Sequence, residues 1–245
     1  METTKSRSFK LNTYTLSLSV FGLIALGIYA WNSLWVSEIN LQLEPYNKLR
    51  VSGIANVHLV RGDSESARLV ADENIVDKIE MQVIDNTLFI NSDDSISGER
   101  KKDIYLTYTQ LTEIRIENAA TVMSKEIVQS DNILIQATGS SEVVLRIEAD
   151  SLKLLMEHAA NVKLAGSTKL FDLTLADHAD IMAYHLNANK GIVKTKSSAN
   201  GSGIARIAVK NSLFVRLEGT RVIYCKGNPD IDKKSVHSNK NLVLR

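Results

Sequence analysis

Residues 155 to 184 read "LMEHAANVKLAGSTKLFDLTLADHADIMAY". An apolar alternation runs into a polar knot at Glu157, His158, Ala159, Ala160 and Asn161, then resumes at Val162. The same thing happens again through Asp177, His178, Ala179, Asp180 and Ile181, and the two knots lie 19 residues apart. The stretch is either a structural period or a site where paired histidines and acids do chemistry.

The neighbouring residues favour a period. Leu152, Leu154, Met156, Val162, Leu164, Leu173 and Leu175 alternate with Lys153, Lys163, Asp172 and Thr174. Such alternation is that of a strand with one face buried, so Met156, Leu164 and Leu175 are expected to point inward and Lys153 and Lys163 outward. The only prolines, Pro45 and Pro229, bracket the region, leaving a sheet free to run between them. A small-residue turn followed by an apolar residue recurs at Val57, Val122, Val143, Val162, Ile181, Ile204, Val222 and Leu242, and from Val122 the steps are 21, 19, 19, 23, 18 and 20. Repetition near 20 residues, with one turn and two or three short strands per unit, predicts an all-β fold, a parallel β-solenoid (β-helix) of about six coils. Small pairs such as Ala119-Ala120, Ser140-Ser141, Ala159-Ala160 and Gly219-Thr220 are expected at its tight corners.

The predicted head domain occupies residues 46–245, with a less regular cap layer at 46–103 and repeated coils at 104–245. Within the cap, Asp72 to Lys78 reads as a short helical turn. Ile79 to Val83 and Leu88 to Asn91 read as a hairpin about Asp85-Asn86, and Ser92 to Asp103 as a charged loop.

Ahead of it, residues 1–12 form a basic N-terminus carrying Lys5, Arg7 and Lys10, and residues 13–36 a transmembrane anchor or signal peptide; 37–45 is a linker. Leu11 to Ser37 holds no charged side chain, and Leu16 to Trp35 is long enough to span a bilayer. The preceding basic residues place the N-terminus in the cytoplasm and the domain outside. Tyr29, Trp31 and Trp35 resemble the interfacial belt of an uncleaved anchor. Ile28-Tyr29-Ala30 is the best processing site for the alternative, secretion after signal cleavage, although Ile28 is bulky for one. The expected localisation is therefore the cell envelope, on a single-pass inner-membrane anchor with the C-terminal domain periplasmic or extracellular.

Net charge is +1 and the first ten residues account for +2 of it, which leaves a near-neutral body without a basic stripe and no reason to bind nucleic acid. The single cysteine, Cys225, forms no internal disulfide.

Several residues resemble a site, and each also fits a solvated surface position. His158, Asp177, His178 and Asp180 lie on successive corners, where stacked residues approach to about 5 Å. Two imidazoles and two carboxylates could ligate zinc or a harder cation, yet polar corners are ordinarily solvated; no metal, cofactor or catalytic residue is expected. Asp150, Glu157, Asp172, Asp177 and Asp180 invite comparison with polysaccharide-cleaving β-helices, but they alternate with lysines and no basic residue stands conspicuously beside them. Arg61-Gly62-Asp63 matches an integrin-type tripeptide, and Asn200-Gly201-Ser202 a glycosylation acceptor in a eukaryotic secretory pathway. Phosphate-binding loops, nucleophile elbows and paired-cysteine sites are absent from the sequence.

The entry "PYNKLRVSGIANVHLVRGD" at 45–63, the continuation "RLVADENIVDKIEMQVIDNTLFI" at 68–90 and the exit "LEGTRVIYCKGNPDI" at 217–231 resemble the bacterial GIN family. That family is described as autotransporter adhesin head domains and was formerly a domain of unknown function. The resemblance covers roughly residues 45–230. It implies a β-helical head exported to the envelope, with no established catalytic residues, and a glycine-containing hairpin turn at Arg61-Gly62-Asp63. Its corners typically hold glycine, whereas Asn118, Glu157, His158 and Asp177 stand in corner regions here.

The expected function is a noncatalytic envelope module that binds a protein, a glycan or a second copy of itself. The alternative is a carbohydrate-active β-helix enzyme. Aromatic residues are only 6% of the chain and both tryptophans lie in the apolar N-terminal segment, so platforms for sugar stacking are scarce. Expected partners are the membrane through 13–36, an envelope protein or glycan, and another copy of the chain.

Overall fold

The computed structural model describes residues 36–92, 101–196, 203–232 and 241–245. The expected basic N-terminus and all of the anchor or signal except Val36 lie outside them, as do residues 93–100 of the charged loop and the Asn200-Gly201-Ser202 tripeptide. Among the described residues no helix is long and apolar enough to cross a membrane.

The fold is a parallel β-solenoid of about six turns, nearly all strand. Its regular part consists of β9 (Thr121–Ala137), β10 (Glu142–Met156), β11 (Asn161–Leu175), β12 (Asp180–Thr195) and β13 (Ala205–Arg216), followed by the short β14 (Ile223–Lys226), β15 (Asp230–Asp232) and β16 (Leu242–Leu244). Each long strand bends midway and serves two walls. In β9 the first half pairs with β3 (Asn56–Arg61) and the second with β8 (Glu113–Ile116), both parallel.

Stacking in parallel register places like on like. Val122, Val143, Val162 and Ile181 form one inward column, and Ile135, Leu154, Leu173, Val193 and Val215 another. All nine are essentially inaccessible, and full burial of each such side chain stabilises by about 1.5–3 kcal/mol. Met156, Leu164 and Leu175 point inward and Lys153 and Lys163 outward, as the alternation predicts. The last coils differ by one residue from expectation. Ile181 pairs with Ala205 and Ala205 with Ile223, so Ala205 and Ile223 are buried while Ile204 is exposed. Both Ile204 and Val222 are apolar neighbours of the true inward position, and apolarity alone does not distinguish two adjacent candidates.

The N-terminal part is not simply an edge layer. β1 (Val36–Gln42) is the first strand of the sheet and pairs with β4 (Ser66–Asp72), so most of the expected linker at 37–45 is strand: Ile39 and Leu41 alternate with Glu38, Asn40 and Gln42. α1 (Glu73–Val76), then β5 (Ile79–Ile84) and β6 (Thr87–Ser92) follow. The last two form the expected antiparallel hairpin, with Asp85 and Asn86 both at positive φ, as a two-residue turn requires. β7 (Lys102–Tyr108) takes up Lys102 and Asp103, and β6 takes up Ser92, so the charged loop is shorter than expected at both ends.

The order of stacking departs from the order of the chain. β2 (Lys48–Ser52) lies between β6 and β8, and β3 lies between β7 and β9. The coil β2–β3 is thus enclosed between a coil made later, β6–β7, and the coil that continues the solenoid, β8–β9. Because β3 and β4 both flank β7, parallel and antiparallel respectively, Arg61-Gly62-Asp63 is not the hairpin turn the resemblance implies. It starts a connection that straddles β7, with the Gly62 N–H donating to the Tyr108 carbonyl at 3.0 Å.

Candidate functional site

Two regions of each coil differ from plain strand, and they are separated by a strand's length. One is the tight corner that holds the polar knot. The other is the bend in the middle of each long strand.

At the corner, Asn118, His158 and Asp177 have φ of 64, 60 and 51°, and Gly53 and Gly139 occupy the same conformation at 95 and 75°. These are equivalent positions of successive coils. Their carbonyls form a ladder: Ala119 N–H donates to Gly53, Ser140 to Asn118, Ala159 to Gly139 and His178 to His158, at 2.6–2.9 Å. Left-handed backbone is costly for most side chains but populated by Asn, Asp and His as well as glycine. That accounts for the polar residues where glycine was expected. Two positions later in each coil comes the buried corner residue, Ala120, Ser141, Ala160 or Ala179, each fully inaccessible. In the pairs Ala119-Ala120, Ser140-Ser141 and Ala159-Ala160 only the second small residue is packed. Gly219 and Thr220 are exposed, and a Cβ added at Gly219 would meet nothing within 4 Å.

Of the predicted metal candidates, Asp177 accepts the His158 backbone N–H at 3.1 Å, and Asp180 accepts that of Ile204. His158 stacks on Asp177 rather than on His178, which lies one residue further along its coil. Among the described residues no group of three or more His, Cys, Asp or Glu side chains is placed to hold a metal ion. The carboxylates do not converge either. Asp150 lies at a bend, Asp172 on a wall, and Glu157, Asp177 and Asp180 at the corner. Contrary to the sequence reading, each of the first three has a lysine beside it: Lys169 at 2.7 Å from Asp150, Lys194 at 3.4 Å from Asp172, and Lys196 at 2.8 Å from Glu157.

Sequence reasoning passed over Arg221, which is only 5% exposed. Its guanidinium donates to the carbonyls of Ala179 (2.5 Å), Ala176 (3.4 Å) and Asp177. Burial lowers its pKa, and the nearby Asp180 and Asp177 carboxylates oppose that shift.

The bend carries a groove of about 1240 Å³. Its floor is a column of small side chains in register: Ser130, Ala149, Thr168, Ala188 and Val209. On one side stand Gln129, Glu148, Ser167 and Asn187, and on the other Asp131, Asp150, Lys169 and Asn189, all of them exposed. Exposed polar side chains flank the floor in four successive coils, which makes the surface concave along the stack. Thr168 is turned down onto the Asp150 and Leu170 carbonyls at 3.4 and 2.9 Å. At one mouth Arg61 is tied to Gln129, so the arginine of the tripeptide serves the groove rim. No aromatic side chain lines the groove among the described residues.

Fold and groove together define a β-solenoid head with a polar channel running along its axis. The chain belongs to the family described as "Putative auto-transporter adhesin, head GIN domain", whose pattern matches residues 45–229. Among solved structures it is similar to a "putative adhesin" from Bacteroides fragilis, with 22% identity, a TM-score of 0.72, and 85% of this chain and 92% of that chain covered. It is also similar to a "putative adhesin" from Parabacteroides distasonis (16% identity, TM-score 0.64, 86% and 94% covered). A "putative lipid binding protein" from the same species shares the fold as well (17%, 0.62, 86% and 96%). None of the curated proteins compared matches the chain.

Proposed function

We propose that this domain is a noncatalytic adhesive head, displayed from the cell envelope, that holds an envelope protein or glycan in its axial groove. The observation carrying this reading is the groove itself: a floor of small residues between two rows of amides, hydroxyls and charges, repeated from coil to coil. A repeated row of donors and acceptors suits an elongated partner held at many weak points. The family's description as an adhesin head supports the same reading.

A carbohydrate-cleaving function would call for acids converging on one bond. The five candidate carboxylates are instead spread over bend, wall and corner, three of them paired with lysines. Display is assigned to the apolar segment at 13–36. A periplasmic reporter fused after Arg245 is expected to be active, and activity of a cytoplasmic reporter there would overturn export.

The groove reading is tested with Ala149→Trp, which fills the floor from outside without entering the core, since Ala149 is only partly buried. Purified wild-type protein is screened on peptide and glycan arrays and against intact bacterial envelopes. Retained binding that Ala149→Trp abolishes supports the reading. Binding unaffected by the substitution places the site elsewhere, and release of oligosaccharides from any polysaccharide on the array would make the domain an enzyme.

A further inference from the structure

Along the groove the charges are sorted. In coil order the lining brings Asp131, then Glu148 and Asp150, then Lys169, then the amides of Asn187 and Asn189, then Lys210 and finally Lys226. The middle pair neutralises itself, since Lys169 Nζ lies 2.7 Å from Asp150 Oδ1. Asp131 and Glu148 are left at one end and Lys210 and Lys226 at the other, all exposed and with no ion pair among the described residues. The Arg61 guanidinium caps the acidic mouth but is tied to Gln129.

Coils repeat every ~4.8 Å, so six of them give a groove about 24 Å long, and Glu148 and Lys210, three coils apart, are separated by about 14 Å. An extended peptide rises about 3.3 Å per residue, so about seven residues fill the groove. Side-chain amides and hydroxyls can meet the N–H and C=O groups of such a backbone, which would otherwise be left unpaired on docking. The lack of an aromatic lining removes the usual stacking surface for sugar rings.

We infer that the groove takes an extended peptide of about seven residues with its charges in two blocks, cationic over Asp131 and Glu148 and anionic over Lys210 and Lys226. The inference rests on the groove reading and names the partner's class. Charge order rather than net charge selects the partner. A segment with the same residues in alternating order places like charges against each other.

Fluorescence anisotropy with labelled heptapeptides tests it. Lys-Lys-Gly-Ser-Gly-Asp-Asp is compared with Lys-Asp-Gly-Ser-Gly-Lys-Asp, which has identical composition, and with all-lysine and all-aspartate versions. The blocked peptide is expected to bind the wild-type chain about tenfold more tightly than the alternating one, as two well-placed charge contacts per end would give, and to weaken as salt rises. In Lys210→Glu/Lys226→Glu the groove becomes acidic at both ends, and the preference is expected to move to the all-lysine peptide. Equal binding of blocked and alternating peptides, or an unchanged preference in the double variant, overturns the inference. If heptapeptides fail but a glycan or folded protein is captured and lost in Ala149→Trp, the peptide class is wrong and the groove reading stands. If Ala149→Trp changes nothing, both fall.

Discussion

Arg221 Nη1 lies 2.5 Å from the carbonyl oxygen of Ala179, although an entire coil separates the two residues in the stack. The register puts Ala179, Gly203 and Arg221 in one corner column, where the other coils place alanine or serine. The arginine fits because Gly203 has no side chain: a Cβ there would stand 2.5 Å from Arg221 Nη1 and 2.2 Å from the Ala179 oxygen. One guanidinium thus fastens the corner at residues 176–179 to a coil two layers on.

Removing it should be costly. Arg221→Met is expected to lose about 3 kcal/mol in urea unfolding, because charge-assisted bonds to buried carbonyls are lost together. Arg221→Lys should recover only a minor part, since a single ammonium cannot reach three carbonyls in different directions. A loss below about 0.5 kcal/mol for Arg221→Met would show that the clasp contributes nothing.

The corner conformation makes the choice of residue at His158 informative. His158→Gly is expected to hold or raise stability by up to about 1 kcal/mol, because glycine accepts φ near 60° without strain. His158→Val should cost more than 1 kcal/mol, since a branched Cβ is poorly tolerated there. The reverse order in thermal unfolding would mean that the imidazole itself is needed.

Ser141 and Ala160 share the buried corner column, and they should respond oppositely. The Ser141 hydroxyl is buried with no hydrogen-bond partner among the described residues, so Ser141→Ala is expected to be neutral or to stabilise by up to about 1 kcal/mol. Ala160→Leu should cost about 1–3 kcal/mol by forcing the backbone apart. Denaturant midpoints of the two variants side by side decide it.

Cys225 provides a pH test. Burial pushes its thiol from 9.0 up to about 11, so folding favours the neutral form. That contribution is complete below about pH 9 and is lost as the pH rises toward 11. Burial raises Tyr46 and Tyr108 as well, so the comparison is between variants: stability should fall less steeply from pH 9 to 11 in Cys225→Ala than in wild type. At pH 8 a thiol reagent should label Cys225 only once denaturant unfolds the chain.

The sequence shows the solenoid clearly because burial on one side of a strand imposes a period of two and stacking imposes a period near 19. Both survive in residue type at Met156, Leu164 and Leu175. Which of two adjacent apolar residues turns inward is not recorded that way, hence the one-residue slip at Ile204 and Val222. The enclosure of β2 and β3 left no mark either, because any parallel strand with the right alternation fits between any two neighbours. The groove was not read from the sequence: Ala149, Thr168 and Ala188 each sit between polar residues, but a column of small residues reads as corner or as floor until register separates them. Arg221 was detectable only as an exception: a long cation where every other coil has something small.

The enclosed coil also bears on how the domain would carry a load. Drawn by its N-terminus, a solenoid stacked in simple chain order would give way one edge strand at a time. Here β1 and β5 lie at the edges on that side; once β1, the first of them in the chain, peels, tension passes to β2, which is hydrogen-bonded to β6 on one flank and β8 on the other. Nine inter-strand residue pairs on the two sides of β2, and ten on the two sides of β3, are then strained in shear rather than opened singly. A force-extension trace taken from the N-terminus should show a weak first event and a much stronger second one, whereas pulling from the C-terminal β16 should release the coils in small successive steps. Were the domain to act as the adhesive head proposed above, it would thereby be tethered by a latch rather than by a zip.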